Sequence, residues 1–376
     1  MNKIKDEIQQ EILDSIPSNP HGILNLAPRV GKTKLAISLI KRDKAKKVLW
    51  VTPSTQLRDK DIPEEFGRWK AKTFLNNTTI ICYSSLEKHK GSYDVIILDE
   101  YQNITPANST PLFDGSIKYN RIICLSGSHP KHEEKQEILD NLNLSIISKI
   151  TIDEAIDKSL IADYNIYIVE VLMNDKDKII KAGNKEKSWM QTEKESYTYL
   201  SKNILKPFFA IKRMRLIYDS PTKEFIAKQL CDNLKGRKLV FCSSIEQAER
   251  LGKGNTYHSR RDKTKLDAFL NQEIDELYCV RAGGTGFTYK NIDDLVIIQA
   301  DSDKKGETTQ KLARSLLEQG EEYKGNIWFI CLVDTKDKSW LGEALTGFDK
   351  TKIKVIKSNE LLYGIEQRNS RNTKET

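Results

Sequence analysis

Two short stretches carry residue types able to act on a phosphoanhydride. In Ala27-Pro28-Arg29-Val30-Gly31-Lys32-Thr33, a glycine, a lysine and a threonine follow the apolar run at 23–26. They open into Lys34-Leu35-Ala36-Ile37-Ser38-Leu39-Ile40, whose apolar residues recur at helical spacing. Strand, tight loop and helix is the order a phosphate cradle needs, because the unpaired N–H groups of a helix start point outward with partial positive charge. Gly31 lets the backbone come close, Lys32 adds a full charge, and the Thr33 hydroxyl suits Mg²⁺. Arg29, Val30 and Lys34 complete the expected nucleotide contacts. The spacing G-x-x-x-x-G-K-[ST] asks for a first glycine where Leu26 stands, so only its second half is matched. The other stretch, Asp99-Glu100-Tyr101-Gln102, follows Val95-Ile96-Ile97-Leu98, a run apolar enough for a strand buried on both faces. Acidic residues at the carboxyl end of such a strand lie where parallel sheets place ligands. Asp99 is the expected Mg²⁺ ligand and Glu100 the expected base for an attacking water.

The elements that would hold these residues alternate. Strands are predicted at 23–26, 48–52, 79–83, 95–98 and 121–125, with helical stretches between most of them, and a second series follows at 166–171, 238–242, 277–280, 295–298 and 327–333. The expected class is α/β, with two tandem domains of parallel sheet, 1–158 and 159–365. Residues 174–220 are polar and Lys-rich and predict a helical insertion packed on the second domain, and 366–376 predict a disordered tail.

Composition narrows the partners. The 376 residues are 30% charged with net charge +8, which suits a polyanion. The six cysteines are scattered, several inside apolar runs, and form no C-x-x-C pair, and the five histidines form no ligand pattern; neither a zinc nor an iron–sulfur site is expected. The amino terminus has no apolar signal core and no run is long enough to span a bilayer, so a cytoplasmic protein without membrane partners is expected.

With both phosphate motifs placed, the order of the remaining segments resembles a superfamily 2 helicase core, in which two RecA-like domains hold ATP in the cleft between them. Val51-Thr52-Pro53-Ser54-Thr55-Gln56-Leu57 resembles motif Ia, and Cys82-Tyr83-Ser84-Ser85-Leu86 the segment before the acidic box. Leu125-Ser126-Gly127-Ser128 stands at motif III, Leu239-Val240-Phe241-Cys242-Ser243-Ser244 at motif IV, Ala282-Gly283-Gly284-Thr285-Gly286-Phe287 at motif V, and Gln310-Lys311-Leu312-Ala313-Arg314 at motif VI. The resemblance implies ATP and Mg²⁺ as cofactors. It implies Thr52, Pro53, Ser84, Ser85, Ser243 and Thr285 as nucleic-acid contacts, Gly286 as a nucleotide contact, and Gln310 and Arg314 as catalytic groups, with Arg314 the arginine finger. Arg260 is a further expected contact from the basic cluster Ser259-Arg260-Arg261, which could equally be a solvated face. Gln9, in a shortened Q-motif, would read adenine. Leu317 and Ala313 depart from the pattern Q-x-x-G-R-x-x-R, and Thr288 replaces an Asp common in motif V. The stretch Ile152 to Tyr164 is similar to one in phage branch-migration helicases and in the motor subunits of restriction enzymes. The expected activity is therefore DNA-dependent ATP hydrolysis driving movement on single-stranded or branched DNA. An RNA helicase, or an ATP-gated binding protein with weak unwinding, stands as the alternative.

Overall fold

The computed structural model describes residues 3–27, 30–127, 133–183, 186–280, 291–299, 324–346 and 348–361. The chain divides into two compact units, the first running from the amino terminus through Ile161 and the second beginning at Ala162. Each is built on a sheet whose strands are all parallel.

In the first unit the strands are β1 (Gly22–Leu26), β2 (Val48–Thr52), β3 (Thr78–Cys82), β4 (Gly91–Asp99), β5 (Ile117–Ser126) and β6 (Ile146–Ile150), in the sheet order β3-β2-β4-β5-β1-β6. Helices cover the faces, which is why β2 is buried at every position and the centre of β4 reads as an unbroken apolar run. The helix Lys32–Arg42 buries Leu35, Ala36, Ile37, Leu39 and Ile40, each large apolar side chain contributing about 2 kcal/mol. On one face Ile23, Leu49, Val51, Ile96, Leu98 and Ile122 join Tyr83, Leu86, Tyr101 and Ile138 in one core.

Several boundaries differ from expectation. The strand predicted at 79–83 ends at Cys82, because Tyr83 begins the short helix Tyr83–Leu86. β4 starts four residues earlier than its apolar run, since Gly91, Ser92 and Tyr93 pair with Ile117, Lys118 and Tyr119 of β5. β6, beside β1, was not expected: its Ile-Ile-Ser-Lys-Ile is only partly buried at the sheet margin and lacks the continuous apolar signal.

The second unit contains β7 (Asp163–Val171), β10 (Lys238–Phe241), β11 (Thr256–Tyr257), β12 (Glu276–Cys279), β13 (Asp294–Ile297), β14 (Lys324–Leu332) and β15 (Ile353–Lys357), ordered β11-β12-β10-β13-β14-β7-β15. β8 (Ile180–Gly183) and β9 (Ser188–Gln191) form a separate antiparallel hairpin. The segment expected to be a helical insertion is therefore hairpin first and helical only from Glu193, with helices Glu193–Lys202 and Pro207–Tyr218. The hairpin strands are only four residues long and none of their residues is buried, so no apolar pattern marks them. Glu193, fully buried, ties this segment down: its carboxylate accepts from Ser220 Oγ at 2.6 Å and from the Asn174 backbone N–H at 2.9 Å. Beneath it Lys223 Nζ meets Asp337 Oδ2 at 2.7 Å, both side chains fully buried, and the same oxygen accepts from the Leu332 N–H at 2.9 Å. The proposed tail, 366–376, lies outside the described residues.

Candidate functional site

The order of the first sheet places the two chemical stretches at one edge. β5 lies between β4 and β1, with Asp99 opposite Leu125 and Asn25 opposite Ser126, so the carboxyl ends of three adjacent strands deliver the acidic pair, Ser126 and the glycine–lysine loop side by side.

Gly31 sits at φ 99° and ψ 43°, a left-handed conformation, and caps helix Lys32–Arg42 with no side chain of its own. A Cβ there would lie 2.0 Å from Gln9 Nε2. The glycine is thus required twice, by its dihedrals and by the glutamine packed on it. The Leu35 N–H returns to Gly31 O at 3.0 Å, and the N–H groups of Lys32, Thr33 and Lys34 in the first turn have no partner within the helix. Lys32 Nζ lies 3.9 Å from Glu100 Oε1 and 3.5 Å from Leu26 O, so the lysine leans from the loop towards the acidic pair.

Asp99 is buried, and its carboxyl is pushed up to about 7 by burial and then by the charge of Glu100, which the nearby Lys32 ammonium partly offsets. A carboxylate so placed gains from a cation. The Asp99 carboxylate and the Thr33 hydroxyl, in the first turn of the helix, are hard oxygen donors of the kind that could hold Mg²⁺. Glu100 itself adopts φ 50° and leads into a tight turn at Tyr101–Asn103. Its Oε2 accepts from Gln102 Nε2 at 2.8 Å, while Gln102 Oε1 accepts from Ser126 Oγ at 2.7 Å and Gln102 O accepts from Lys135 Nζ. Tyr83 Oη donates to Asp99 O at 3.1 Å. This relay from Glu100 through Gln102 to Ser126 was not foreseen. Its only sequence sign was a Gln two residues past the acid, within one turn.

The other named residues are placed unevenly. Gln9 is buried and spends its amide N–H on Val30 O at 2.6 Å, which braces the loop, and among the described residues its buried Oε1 has no hydrogen-bond partner. Lys34 turns its side chain away from the loop mouth, to Asp6 at 2.5 Å and over the Trp69 ring at 4.3 Å. Thr52, expected to meet a phosphate, is fully buried as the last residue of β2, between β3 and β4; Pro53, Ser84 and Ser85 are exposed. In the second unit Ser243 Oγ is held by Asp219 at 2.7 Å and Gln247 at 3.1 Å. Arg260 is exposed, 3.8 Å from Glu246, while Arg261 is bidentate on Glu249. Arg29, Thr285, Gly286, Gln310 and Arg314 lie outside the described residues. Among the described residues no His, Cys, Asp and Glu cluster of metal-binding geometry occurs, and no helix is long and apolar enough to cross a membrane.

No protein-family model and no curated protein sequence matches the chain. Solved structures do. Over 95% of its length the chain is similar to the ATP-dependent Type ISP restriction-modification enzyme LlaBIII bound to DNA, with TM-score 0.58 and 13% identity, and it spans 31% of that protein. Over 98% of its length it is similar to S. cerevisiae Dbp5 bound to RNA and ADP BeF3, with TM-score 0.54 and 11% identity, spanning 93% of that chain. The likeness shows the fold alone, and it is the one that the motif order implied: two tandem RecA-like α/β domains, each built on a parallel sheet.

Proposed function

We propose that this chain is an ATP-driven nucleic-acid motor acting on DNA as a helicase or translocase. The observation that carries the reading is the convergence of Lys32, Asp99 and Glu100 on one sheet edge, with Lys32 Nζ 3.9 Å from Glu100 and a buried, desolvated Asp99 behind them. Lys32 and the free N–H groups of the first helical turn hold the β- and γ-phosphates. Thr33 and Asp99 are the residues that would hold Mg²⁺, which would supply charge to neutralise the transferring phosphoryl group. Glu100, oriented by Gln102, takes the proton of the attacking water. Arg314, read from its motif, stabilises charge that develops on the γ-phosphoryl oxygens only during reaction. Arg29, Gly286 and Gln310 remain in this reading as further nucleotide or catalytic contacts, and Ser84, Ser85 and Thr285 as backbone contacts to the strand. The exposure of Ser84 and Ser85 supports their part.

An RNA-driven motor is the second reading, favoured by the likeness to Dbp5 across nearly the whole of both chains. Steady-state ATPase assays with DNA and with RNA decide between the two. The motor itself is tested by Lys32→Ala and Glu100→Gln. Both abolish stimulated hydrolysis, but only Lys32→Ala weakens ATP binding, because Glu100→Gln leaves the phosphate contacts in place. Arg314→Ala lowers turnover on the order of a thousandfold at near-normal nucleotide affinity. Retained hydrolysis in Lys32→Ala or Glu100→Gln refutes the site.

A further inference from the structure

Residues 174–218 hold eleven Lys and Arg against five Asp and Glu, so this short segment supplies +6 of the chain's net +8. Its surface is also unusually apolar at one corner. Where helix Glu193–Lys202 turns into helix Pro207–Tyr218, Leu205 is 96%, Phe208 60% and Tyr199 53% exposed. Exposed apolar groups gathered in this way mark an interaction site more often than chance surface.

The aromatic rings at the corner form a row. Tyr199 meets Phe209 edge-on at 5.8 Å between centroids, Phe209 meets Phe208 at 5.5 Å, and Lys212 Nζ stands 4.4 Å over the Phe208 ring. Beside them, one face of helix Glu193–Lys202 lines a cleft of about 380 Å³ containing Lys194, Tyr199 and Lys202, with Asp175 and Glu195 also on its wall. Glu195 is engaged in capping its helix through Thr192. Lys194, Lys202 and Lys206 form no ion pair among the described residues. Tyr197, by contrast, is a packing residue: its hydroxyl accepts from the Lys336 N–H at 3.0 Å.

We infer that this corner of the second domain is an accessory platform for single-stranded nucleic acid, on which bases stack against Tyr199 and Phe208 while Lys194, Lys202, Lys206 and Lys212 meet the phosphates. Cationic charge selects a polyanion, and exposed rings select one whose base faces are free, which a duplex does not offer. The inference rests on the reading of the chain as a nucleic-acid motor and adds to it a contact surface carried by the second unit.

The test measures binding of a fluorescein-labelled oligothymidine of about 20 nucleotides to the full chain, as a function of salt. Tyr199→Ala with Phe208→Ala weakens binding roughly thirtyfold or more, at about five- to a hundredfold per ring, with the salt slope unchanged, because stacking is lost and charge is kept. Tyr199→Phe binds like the wild type. Lys202→Gln with Lys206→Gln lowers the salt slope by about 1.4, at ~0.7 per phosphate contact for single strands. Basal ATPase is unaltered in all of them. Affinity within twofold of wild type in the aromatic pair overturns the platform, as does an equal loss of binding to poly-glutamate, which would make the corner a dock for acidic protein. If the wild type binds no oligothymidine and nucleic acid does not stimulate its ATPase, the motor reading falls and the platform with it. If wild-type binding and stimulation are present and the variants match them, the platform alone falls.

Discussion

Gly31→Ala tests the packing of the phosphate loop most directly. An alanine at φ 99° incurs the left-handed penalty of an L-residue, about 1–2 kcal/mol. Its Cβ would also fall 2.0 Å from Gln9 Nε2, so the glutamine must swing away and release Val30 O. A buried carbonyl left without its donor costs about 1–3 kcal/mol. The single substitution should therefore destabilise the loop and the helix behind it by about 2–5 kcal/mol. Gln9→Ala alone forfeits the same hydrogen bond and costs about 1–3 kcal/mol. In the double variant the collision is gone and the lost bond is counted once, so the two effects fall short of additivity by about 1–3 kcal/mol. Hydrogen exchange at increasing urea, read on the amides of helix Lys32–Arg42, gives the opening free energy of all four proteins. Additivity within about 0.5 kcal/mol would refute the contact between Gln9 and the glycine loop.

Two further outcomes follow from the second domain. Lys223→Met strands the Asp337 carboxylate in the interior and should cost about 3–5 kcal/mol in chemical denaturation, most of it restored by adding Asp337→Asn, whereas equal losses in single and double variants would show that the pair is not the cause. Glu249 is held down to about 2 by its hydrogen bonds to His258 and Arg261, so it stabilises the fold above pH about 4.5 and loses that contribution as pH falls towards 2; circular dichroism during acid titration should show Glu249→Gln less stable than wild type at neutral pH and equal to it near pH 2.

The parts of the fold legible in the sequence are those where burial is complete. Val48–Thr52 and Val95 to Leu98 lie between two neighbours with both faces covered, and their continuous apolar runs announce it. β15 and β6 lie at sheet margins, where Lys354, Lys357 and Lys149 are tolerated, and the pattern fades. For the site, the stretches around Gly31 and Asp99 could be read because their residue types are tied to local backbone geometry. What could not be read depends on distant partners. Lys34 is drawn off by Asp6, 28 residues away, and Thr52 is buried by strands that local sequence does not name. The Glu100–Gln102–Ser126 relay spans 24 residues between its last two members and exists only because β5 lies beside β4.

The place of β7 inside the second sheet, between β14 and β15, has a consequence for synthesis. Both its neighbours are made long after it: Asn165 meets Asn326, 161 residues later, and Asp163 meets Lys352, 189 residues later. The first sheet can close as soon as β6 emerges. At a ribosomal rate of about 5–20 residues per second, β7 then waits roughly 8–32 s with two bare backbone edges and the buried side chains of Tyr164, Ile166 and Val169 uncovered. A nascent chain paused between residues 171 and 324 is a folded first domain trailing an open template for strand addition, and it is in this interval that the polypeptide most needs a chaperone.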